Sequence, residues 1–350
     1  MGCGNLGDDA VMLGLIQGLS QDGFTFSVMS GSPEETYRNY SLRSIDRRNK
    51  KQFEEEMARS DALVFPGGSI FQDVTSIASV KYYADLISKA KSMGKKVLLL
   101  GQGVGPLNNF LSKRMATAAL NKADAITVRD PGSFQTLRTL GVKTPIKVAA
   151  DTSFLMPANL SGEGVEGFTV GTMRTVGVSV RPFGKDKEVA LIFGEFCRLV
   201  FQSGVMPVLI EMDRNEDGPL ILEIAKLQGG KIPDIRKLNT PMQIQQRIAR
   251  MDTVVAMRLH AGILASAVGV PPLMVSYDPK VMAFARLLDL GNALSLEGLT
   301  GQRLFEAFQA FQKDRDRNAK MLVKKRAEMV ELAQISADTV RSMLKSPAKL

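Results

Sequence analysis

The 350-residue sequence contains no tryptophan, one histidine and two cysteines. Two cysteines, Cys3 and Cys197, are too few for a disulfide framework or a cysteine-rich metal cluster. The lone histidine, His260, excludes within one chain the two- and three-histidine sites that hold catalytic zinc. The sequence shows neither an apolar run of the ~18 residues that a membrane span needs nor a signal-peptide pattern. These absences predict a reducing, cytoplasmic setting.

Charge is unbalanced in the positive direction. Lys and Arg number 45 against 36 for Asp and Glu, which gives a formal net charge of +9. A basic chain favours an anionic partner, such as a nucleic acid, a membrane face or a phosphorylated small molecule. Five tyrosines and no tryptophan supply few stacking platforms for single strands, and no RNA-binding signature occurs. We therefore expect no nucleic-acid partner.

Short β-rich runs alternate with helical patterns along the chain, which is typical of parallel sheets covered by helices on both faces. The helical stretches lie near 10–20, 50–59, 76–93, 110–122, 187–203, 216–228 and 240–251, and the predicted strands are Phe24–Met29, Ala62–Phe65, Lys96–Leu100, Ala125–Val128, Ile146–Ala149, Val176–Val180, Met206–Ile210, Thr253–Met257 and Pro272–Ser276. Length suggests two domains, and the Gly-rich, aperiodic segment 157–172 is the predicted boundary. We predict an α/β fold of two Rossmann-like, doubly wound domains that face each other across a cleft. The N-terminal domain would cover 1–157 and the C-terminal domain 173–300, followed by a basic helical tail over 301–350.

Glycines and cations follow the predicted strands, where an open parallel sheet binds its ligands. The segments in question are Pro66-Gly67-Gly68-Ser69, Gly101-Gln102-Gly103-Val104-Gly105-Pro106, Arg129-Asp130, Arg181, Arg258-Leu259-His260 and Tyr277-Asp278-Pro279-Lys280. Glycine lets a backbone approach a ligand, and a cation holds an anion, so the pattern predicts a positively charged ligand site. The alternative for each segment is structural: simple turns, a solvated Arg181, and Asp278 capping a helix that begins at Pro279.

His260 is the strongest candidate for chemistry. It follows an apolar strand, lies two residues after Arg258 and opens a helix of small residues. An anionic substrate beside an imidazole favours the protonated ring, which is the behaviour that a general acid needs. A structural role is the alternative.

The opening stretch also spells G-x-G-x-x-G over residues 2–7. A dinucleotide-binding loop needs a strand before those glycines, and here only Met1 precedes them. Asp8 and Asp9 would also repel a pyrophosphate at the helix start. We therefore predict either a Gly-rich turn with an aspartate cap or a different kind of site.

Several motifs together resemble the polysaccharide pyruvyl transferase family, particularly its CsaB type. The matching stretches, in chain order, are Gly4-Asn5-Leu6-Gly7-Asp8-Asp9-Ala10, Pro66-Gly67-Gly68-Ser69-Ile70-Phe71-Gln72-Asp73, Gly101-Gln102-Gly103-Val104-Gly105-Pro106, Thr127-Val128-Arg129-Asp130, Ala150-Asp151, Gly177-Val178-Ser179-Val180-Arg181, Arg258-Leu259-His260-Ala261 and Ser276-Tyr277-Asp278-Pro279-Lys280. Each alone is loose, whereas the ordered set is specific. The family normally has a strand before the first motif, so we expect that strand of the N-terminal sheet to be missing or to come from elsewhere.

The resemblance implies a glycosyltransferase-B-like fold and a reaction. Pyruvate would pass from phosphoenolpyruvate to a sugar of a cell-wall polysaccharide precursor, forming a ketal and releasing phosphate. For the CsaB type the acceptor is a lipid-linked N-acetylmannosamine glycan, and the ketal helps S-layer proteins anchor to the wall.

The matched motifs suggest roles for individual residues. We expect His260 to act as the acid and Asp8 as the base, with Asn5 near the acceptor. Arg129, Arg258 and Lys280 are the expected donor-binding cations, with further substrate contacts from Gly68, Gln102, Gly103 and Tyr277. No step requires a metal or a cofactor, and the basic tail suggests a peripheral contact with an anionic membrane. The alternatives are a nucleotide-sugar glycosyltransferase of the same architecture and a non-catalytic protein that binds an anionic glycan.

Overall fold

The computed structural model describes residues 1–73, 77–158, 173–291 and 293–344. The chain divides into two compact units. The first comprises Met1–Cys3, Asp8–Pro157 and Glu328–Leu350, and the second comprises Gly4–Gly7 and Ala158–Ala327. From residue 159 onward, the predicted boundary segment 157–172 lies outside the described residues.

The first unit is built around parallel strands. Its elements are α1 (Leu6–Gly18), β1 (Ser27–Ser30), α2 (Pro33–Tyr40), β2 (Arg43–Asp46), α3 (Lys50–Arg59), β3 (Ala62–Phe65), β4 (Gly68–Phe71), α4 (Ile77–Ser92), β5 (Lys96–Val104), α5 (Phe110–Leu120), β6 (Ala125–Val128), α6 (Pro131–Thr139) and β7 (Ile146–Val148). Strands β1 and β2 form a separate pair, and the main sheet has the order β3-β5-β6-β7. Strand β4 pairs with the later part of β5, beyond the part that pairs with β3.

Two glycines make the turn between β3 and β4. Gly67 and Gly68 have φ values of +155° and +90°, which side chains other than hydrogen rarely tolerate. The strands on either side supply apolar residues to a buried cluster that includes Leu63, Phe65 and Phe71. The Pro-Gly-Gly sequence therefore turns the chain at the carboxyl edge of the main sheet.

The second unit has a single six-stranded parallel sheet. Its elements are β8 (Arg174–Ser179), α7 (Asp186–Gln202), β9 (Val205–Ile210), α8 (Asp217–Leu227), β10 (Asp234–Ile235), α9 (Pro241–Ile248), β11 (Thr253–Ala256), α10 (Leu259–Ala267), β12 (Pro272–Ser276), α11 (Pro279–Leu288), β13 (Leu294–Ser295), α12 (Gly301–Lys313) and the start of α13 (Arg315–Leu344). The strand order is β10-β9-β8-β11-β12-β13. This is the doubly wound Rossmann order, and it reverses between β8 and β11, where such folds bind ligands.

In its described residues, the predicted tail over 301–350 consists of the helices α12 and α13, and it packs against buried clusters of the units. Phe308 of α12 packs against Phe196 of α7, with ring centroids 5.7 Å apart. Farther along, Ala337 and Val340 of α13 join a buried cluster of the first unit. Helix α13 therefore begins in the second unit and ends in the first. None of the helices in the described ranges combines the length and apolarity needed to cross a bilayer.

Candidate functional site

The candidate site residues fall into two groups, one in each unit. In the second unit, Asn5, Arg258, His260, Tyr277 and Lys280 all lie on or near the segments that follow the sheet's strands. The first unit holds the remaining candidates, namely Asp8, Gly68, Gln102, Gly103 and Arg129.

His260 is the second residue of α10 and is half-buried. Gly7 packs directly against its ring: a Cβ built on Gly7 would lie 2.6 Å from the imidazole Cγ and closer still to Nδ1. No real side chain fits at that separation, so glycine is required at position 7 for the backbone to approach the ring. The opening motif of the chain thus contributes directly to the surroundings of His260.

Backbone hydrogen bonds hold the segment 4–7 in place. The amide of Leu6 donates to the carbonyl of Met212 at 2.9 Å, and the amide of Arg214 donates to the carbonyl of Gly4 at 3.0 Å. Asn5 forms an isolated antiparallel bridge with Asp213. Its Oδ1 accepts a hydrogen bond from the Gly7 amide at 2.9 Å. The structure therefore places Asn5 and His260 on the same unit, although 255 positions of sequence separate their numbers.

Arg258 lies in a group of carboxylates. Its Nε donates to Asp217 Oδ1 at 3.1 Å and its Nη2 to Glu216 Oε2 at 2.9 Å, and Nη2 also contacts Asp217. Asp213 Oδ2 is 3.9 Å from the same Nη2. Burial lowers the pKa of Arg258, but attraction and hydrogen bonds to Asp217, Asp213 and Glu216 together outweigh it and the pKa is raised. The cation expected to bind the donor therefore already has carboxylate partners within the unit.

Asp217 connects Arg258 to the loop that holds the segment 4–7. It is fully buried and accepts hydrogen bonds from the amides of Met212 at 3.0 Å and Asp213 at 2.9 Å. Burial raises the pKa of Asp217, while Arg258 and the two amides oppose that rise. The sequence analysis missed this residue. The signal was available: four acidic residues occur within 211–217, immediately after β9.

A second cationic group lies after β8 and β12. Arg181 Nη1 donates to the Tyr277 hydroxyl at 2.6 Å, and its guanidinium carbon lies 5.0 Å from the Tyr277 ring centroid. Lys280 Nζ is 5.8 Å from the same centroid and 3.5 Å from Asp278 Oδ2. The predicted cap at Asp278 is confirmed, since its Oδ1 accepts from the Lys280 amide at 2.9 Å. Arg181 is therefore half-buried and hydrogen-bonded to Tyr277 rather than a solvated loop residue.

In the first unit, Arg129 is buried beside the glycine loops. Its Nη1 donates to Asp151 Oδ2 and its Nη2 to Ser69 Oγ, both at 3.0 Å. A Cβ built on Gly103 would lie 2.5 Å from Nη2, so glycine is needed there for close packing. The amide of Arg129 donates to the carbonyl of Gln102 at 3.1 Å. Gln102, Gly103 and Arg129 therefore form one group, in which Asp151 balances the charge of the Arg129 guanidinium.

Asp8 and Asp9 occupy the first turn of α1, where negative charge complements the helix dipole. Asp8 is half-buried, and a Cβ built on Gly68 would be 3.9 Å from its Oδ1. Asp9 is buried and accepts hydrogen bonds from the Gly2 amide and the Tyr40 hydroxyl, both at 2.9 Å. Asp9 is therefore structural, whereas Asp8 lies beside the Gly68 turn.

Solved structures resemble this chain in fold. HepE from Anabaena, solved with UDP-glucose, has a TM-score of 0.63 and 14% identity over 98% of each chain. MnaA from S. aureus, solved with UDP, has a TM-score of 0.63 and 13% identity over 99% of this chain and 97% of its own. At such identities the likeness concerns the fold, and it confirms the predicted glycosyltransferase-B-like class.

Sequence comparison identifies the family. The amylovoran biosynthesis protein AmsJ of Erwinia amylovora is 20% identical over 268 residues, which cover 70% of this chain and 63% of AmsJ. The chain thus spans less than two thirds of that relative's length. A family model described as polysaccharide pyruvyl transferase matches residues 5–279, which include most of both groups of site residues. The chain belongs to the polysaccharide pyruvyl transferase family.

Proposed function

We propose that this protein transfers pyruvate from phosphoenolpyruvate to a sugar of a cell-wall polysaccharide precursor, forming a ketal and releasing inorganic phosphate. Membership of the family over residues 5–279 supports the reaction class. The observation that carries the proposal is that a half-buried imidazole, His260, and the cations Arg181 and Lys280 each follow a strand of one parallel sheet, with both cations beside the Tyr277 ring.

The chemistry requires one acid and two sugar hydroxyls. A proton goes to the methylene carbon of phosphoenolpyruvate, which leaves C2 electrophilic. One hydroxyl oxygen bonds to C2 and loses its proton. A second hydroxyl oxygen of the same sugar then bonds to C2 and gives its proton to the departing phosphate, as the bond from C2 to the phosphate oxygen breaks and inorganic phosphate leaves. The product is a cyclic ketal that keeps the carboxylate and a new methyl group.

We assign these steps to residues on the basis of their chemistry. His260 protonates the methylene carbon, and Lys280 stabilises the departing phosphate as a point charge. Asp8 removes or orients the hydroxyl proton, and Asn5 contacts the acceptor. Donor binding by Arg129 and Arg258 stays a prediction. Because carboxylates engage both guanidinium groups, we expect them to act mainly by shaping the surroundings of Gln102 and His260.

The finer identity of the acceptor is also a proposal. A CsaB-type enzyme would modify an N-acetylmannosamine glycan on a lipid carrier at the cytoplasmic face of the membrane, in support of S-layer anchoring. The exposed Lys324 on α13 belongs to the basic stretch that would contact anionic lipids. Co-sedimentation with anionic vesicles tests that contact, and binding that ignores lipid charge contradicts it.

Phosphate release from phosphoenolpyruvate tests the reaction. We expect release that depends on a lipid-linked N-acetylmannosamine glycan, and a fall of at least about 100-fold in His260→Ala, because a positioned acid contributes about 10²–10⁴-fold. Unchanged thermal unfolding of the variant shows that the loss is chemical. Near-full activity of His260→Ala removes the ring from the mechanism.

Thermal-shift and glycan-binding measurements separate the two alternatives. A glycosyltransferase would be protected against heat by a nucleotide sugar and not by phosphoenolpyruvate. A glycan-binding protein would bind the acceptor without turnover, and His260→Ala would leave that binding unchanged.

A further inference from the structure

Arg181 differs from the other candidate cations in its charge environment. Arg129 pairs with Asp151, Arg258 with Asp217 and Glu216, and Lys280 lies 3.5 Å from Asp278. Arg181 forms no ion pair with any residue that the structure describes. A partly buried guanidinium without a counter-charge is costly, because its lost hydration is not offset by attraction to an anion. Its surroundings therefore favour an incoming negative group.

The hydrogen bonds of Arg181 leave one edge of the guanidinium for that group. Nη1 donates to the Tyr277 hydroxyl, whereas the buried Nε has no hydrogen-bond partner within the described ranges. Nε and Nη2 form the planar edge that binds a carboxylate side-on. Arg258 uses this same edge to hold Asp217 in this protein. Arg181 presents the equivalent edge without a carboxylate from the described chain.

Tyr277 fixes the orientation of that edge. Its hydroxyl accepts from Nη1, and its ring lies near both cations, 5.0 Å from the Arg181 guanidinium carbon and 5.8 Å from Lys280 Nζ. The Phe183 ring also packs against Tyr277, with centroids 5.0 Å apart. The Tyr277 ring therefore contacts both the planar guanidinium of Arg181 and the ammonium group of Lys280.

The position in the sheet is also that of a ligand site. Arg181 follows β8, and the strand order reverses between β8 and β11. Ligands of doubly wound sheets bind in the crevice at that reversal, outside the carboxyl ends of the strands. Ser179, the last residue of β8, adds a buried hydroxyl that has no hydrogen-bond partner in the described part of the chain.

We propose that Arg181, oriented by Tyr277, is the carboxylate-binding residue of the three-carbon donor, while Lys280 takes the phosphate. The inference rests on the proposed function and deepens it, because it divides the two anionic groups of the donor between two cations. A guanidinium matches the planar carboxylate with two parallel hydrogen bonds, which an ammonium cannot do. Arg181 thereby determines that the donor must carry a carboxylate.

Calorimetric binding of three probes to the full chain tests the division. Phosphoenolpyruvate carries both groups, pyruvate carries only the carboxylate, and inorganic phosphate only the other group. The variants are Arg181→Gln, Arg181→Lys and Lys280→Gln. The exposed Arg198 of α7 provides the matched control Arg198→Gln, because its guanidinium donates to Gln202 Oε1 on the same helix.

We expect Arg181→Gln to weaken the binding of phosphoenolpyruvate and of pyruvate by about 10- to 100-fold, which is the strength of hydrogen bonds to a charged group. The binding of inorganic phosphate should weaken by less than about threefold. Arg181→Lys should also bind phosphoenolpyruvate and pyruvate about tenfold more weakly, because the charge remains but the paired N–H donors of the guanidinium are lost. Lys280→Gln should weaken the binding of inorganic phosphate and leave the binding of pyruvate unchanged. In phosphate-release kinetics, Arg181→Gln should raise KM far more than it lowers kcat.

The outcomes separate this inference from the proposed function. Normal turnover with an unchanged KM in Arg181→Gln, or equal weakening of pyruvate and phosphate, overturns the role of Arg181 alone. Arg181-dependent pyruvate binding without phosphate release from phosphoenolpyruvate overturns the proposed reaction alone. If wild-type protein binds neither pyruvate nor phosphoenolpyruvate, both are wrong. Should Arg181→Gln fail to fold, the binding of pyruvate and of phosphate can be compared in Arg181→Lys and Tyr277→Phe instead.

Discussion

At the scale of single residues, His260 and Gly7 depend on each other. The ring occupies the space where any side chain on residue 7 would begin. Glycine at this position is therefore a requirement of packing, and the opening motif serves the imidazole rather than a dinucleotide.

Gly7→Ala should displace the imidazole while the fold is retained. Overpacking of this kind costs about 1–3 kcal/mol of stability, and a misplacement of about 1 Å can cost about 100-fold in rate. Because His260 is the single histidine, its imidazole NMR signals are unambiguous and should shift. Gly132→Ala, whose new Cβ would meet its nearest atom at 3.1 Å in the first unit, is the control. Unchanged imidazole signals and unchanged phosphate release would show that the contact is unimportant.

Asp9 gives the stability of the protein a dependence on pH. Burial raises its pKa above the ordinary value, although the Gly2 amide and Tyr40 hydroxyl oppose the rise. The native state therefore keeps this proton to a higher pH than the unfolded state. The contribution of Asp9 to the free energy of unfolding falls as pH increases from about 4 through the raised pKa.

Asp9→Asn should remove the part of the decrease in unfolding free energy with rising pH that Asp9 causes. Urea unfolding at several pH values between about 4 and 7 should show wild type losing stability relative to Asp9→Asn as pH rises. The exposed Asp61→Asn is the control, and it should run parallel to wild type. If the curve for Asp9→Asn also runs parallel to wild type, burial does not control this carboxyl.

Residue types were easier to predict than their partners. The sequence alone marked His260 and Lys280, because each follows a predicted strand, and the family resemblance added Asn5. The sequence could not reveal that Arg258 pairs with Asp217, because the two are 41 positions apart and meet only when β9 and β11 are placed in the sheet. Arg181 was underrated for a similar reason, since its partner Tyr277 lies 96 positions away.

At the scale of elements, Asp217 fixes two loops of the second unit at once. It holds the Arg258 turn before α10 and the amides of residues 212 and 213 after β9. The carbonyl of Met212 in turn accepts from the Leu6 amide. One buried carboxylate therefore connects the start of α10 with the segment that contacts His260.

Asp217→Ala should destabilise the protein by about 3–5 kcal/mol, because it leaves a buried guanidinium without its main partner. Chemical denaturation of the full chain measures the effect. Glu223→Ala, at an exposed position of the same helix α8, should change stability by less than about 0.5 kcal/mol. Equal effects of the two substitutions would show that the ion pair contributes nothing specific.

Element prediction succeeded where apolar runs were continuous. Strands β3, β6 and β12 begin and end at the predicted residues, and α3 does too. The sequence analysis missed β4, because its glycine and serine resemble a turn, and α2, whose Glu- and Tyr-rich sequence has little apolar periodicity. Helix α6 was missed because only Asp130 and Pro131 signal its start.

At the scale of the whole molecule, the α/β class and the parallel sheets followed from the alternation of strands and helices. The assignment of the chain's terminal segments to the two units did not follow from that alternation. Residues 4–7 group with the second unit and the described residues 328–344 with the first, because their contacts are with distant parts of the sequence. Composition and periodicity report local structure, so they assigned each terminal segment to its neighbour in sequence.

The central claim is that a lone imidazole and a pair of cations on one sheet edge carry out pyruvyl transfer. The most direct measurement is inorganic phosphate released from phosphoenolpyruvate by the full chain, with and without a lipid-linked N-acetylmannosamine glycan. The account predicts acceptor-dependent release that falls at least about 100-fold in His260→Ala. Release that is absent from wild type, or that persists undiminished in His260→Ala, would contradict it.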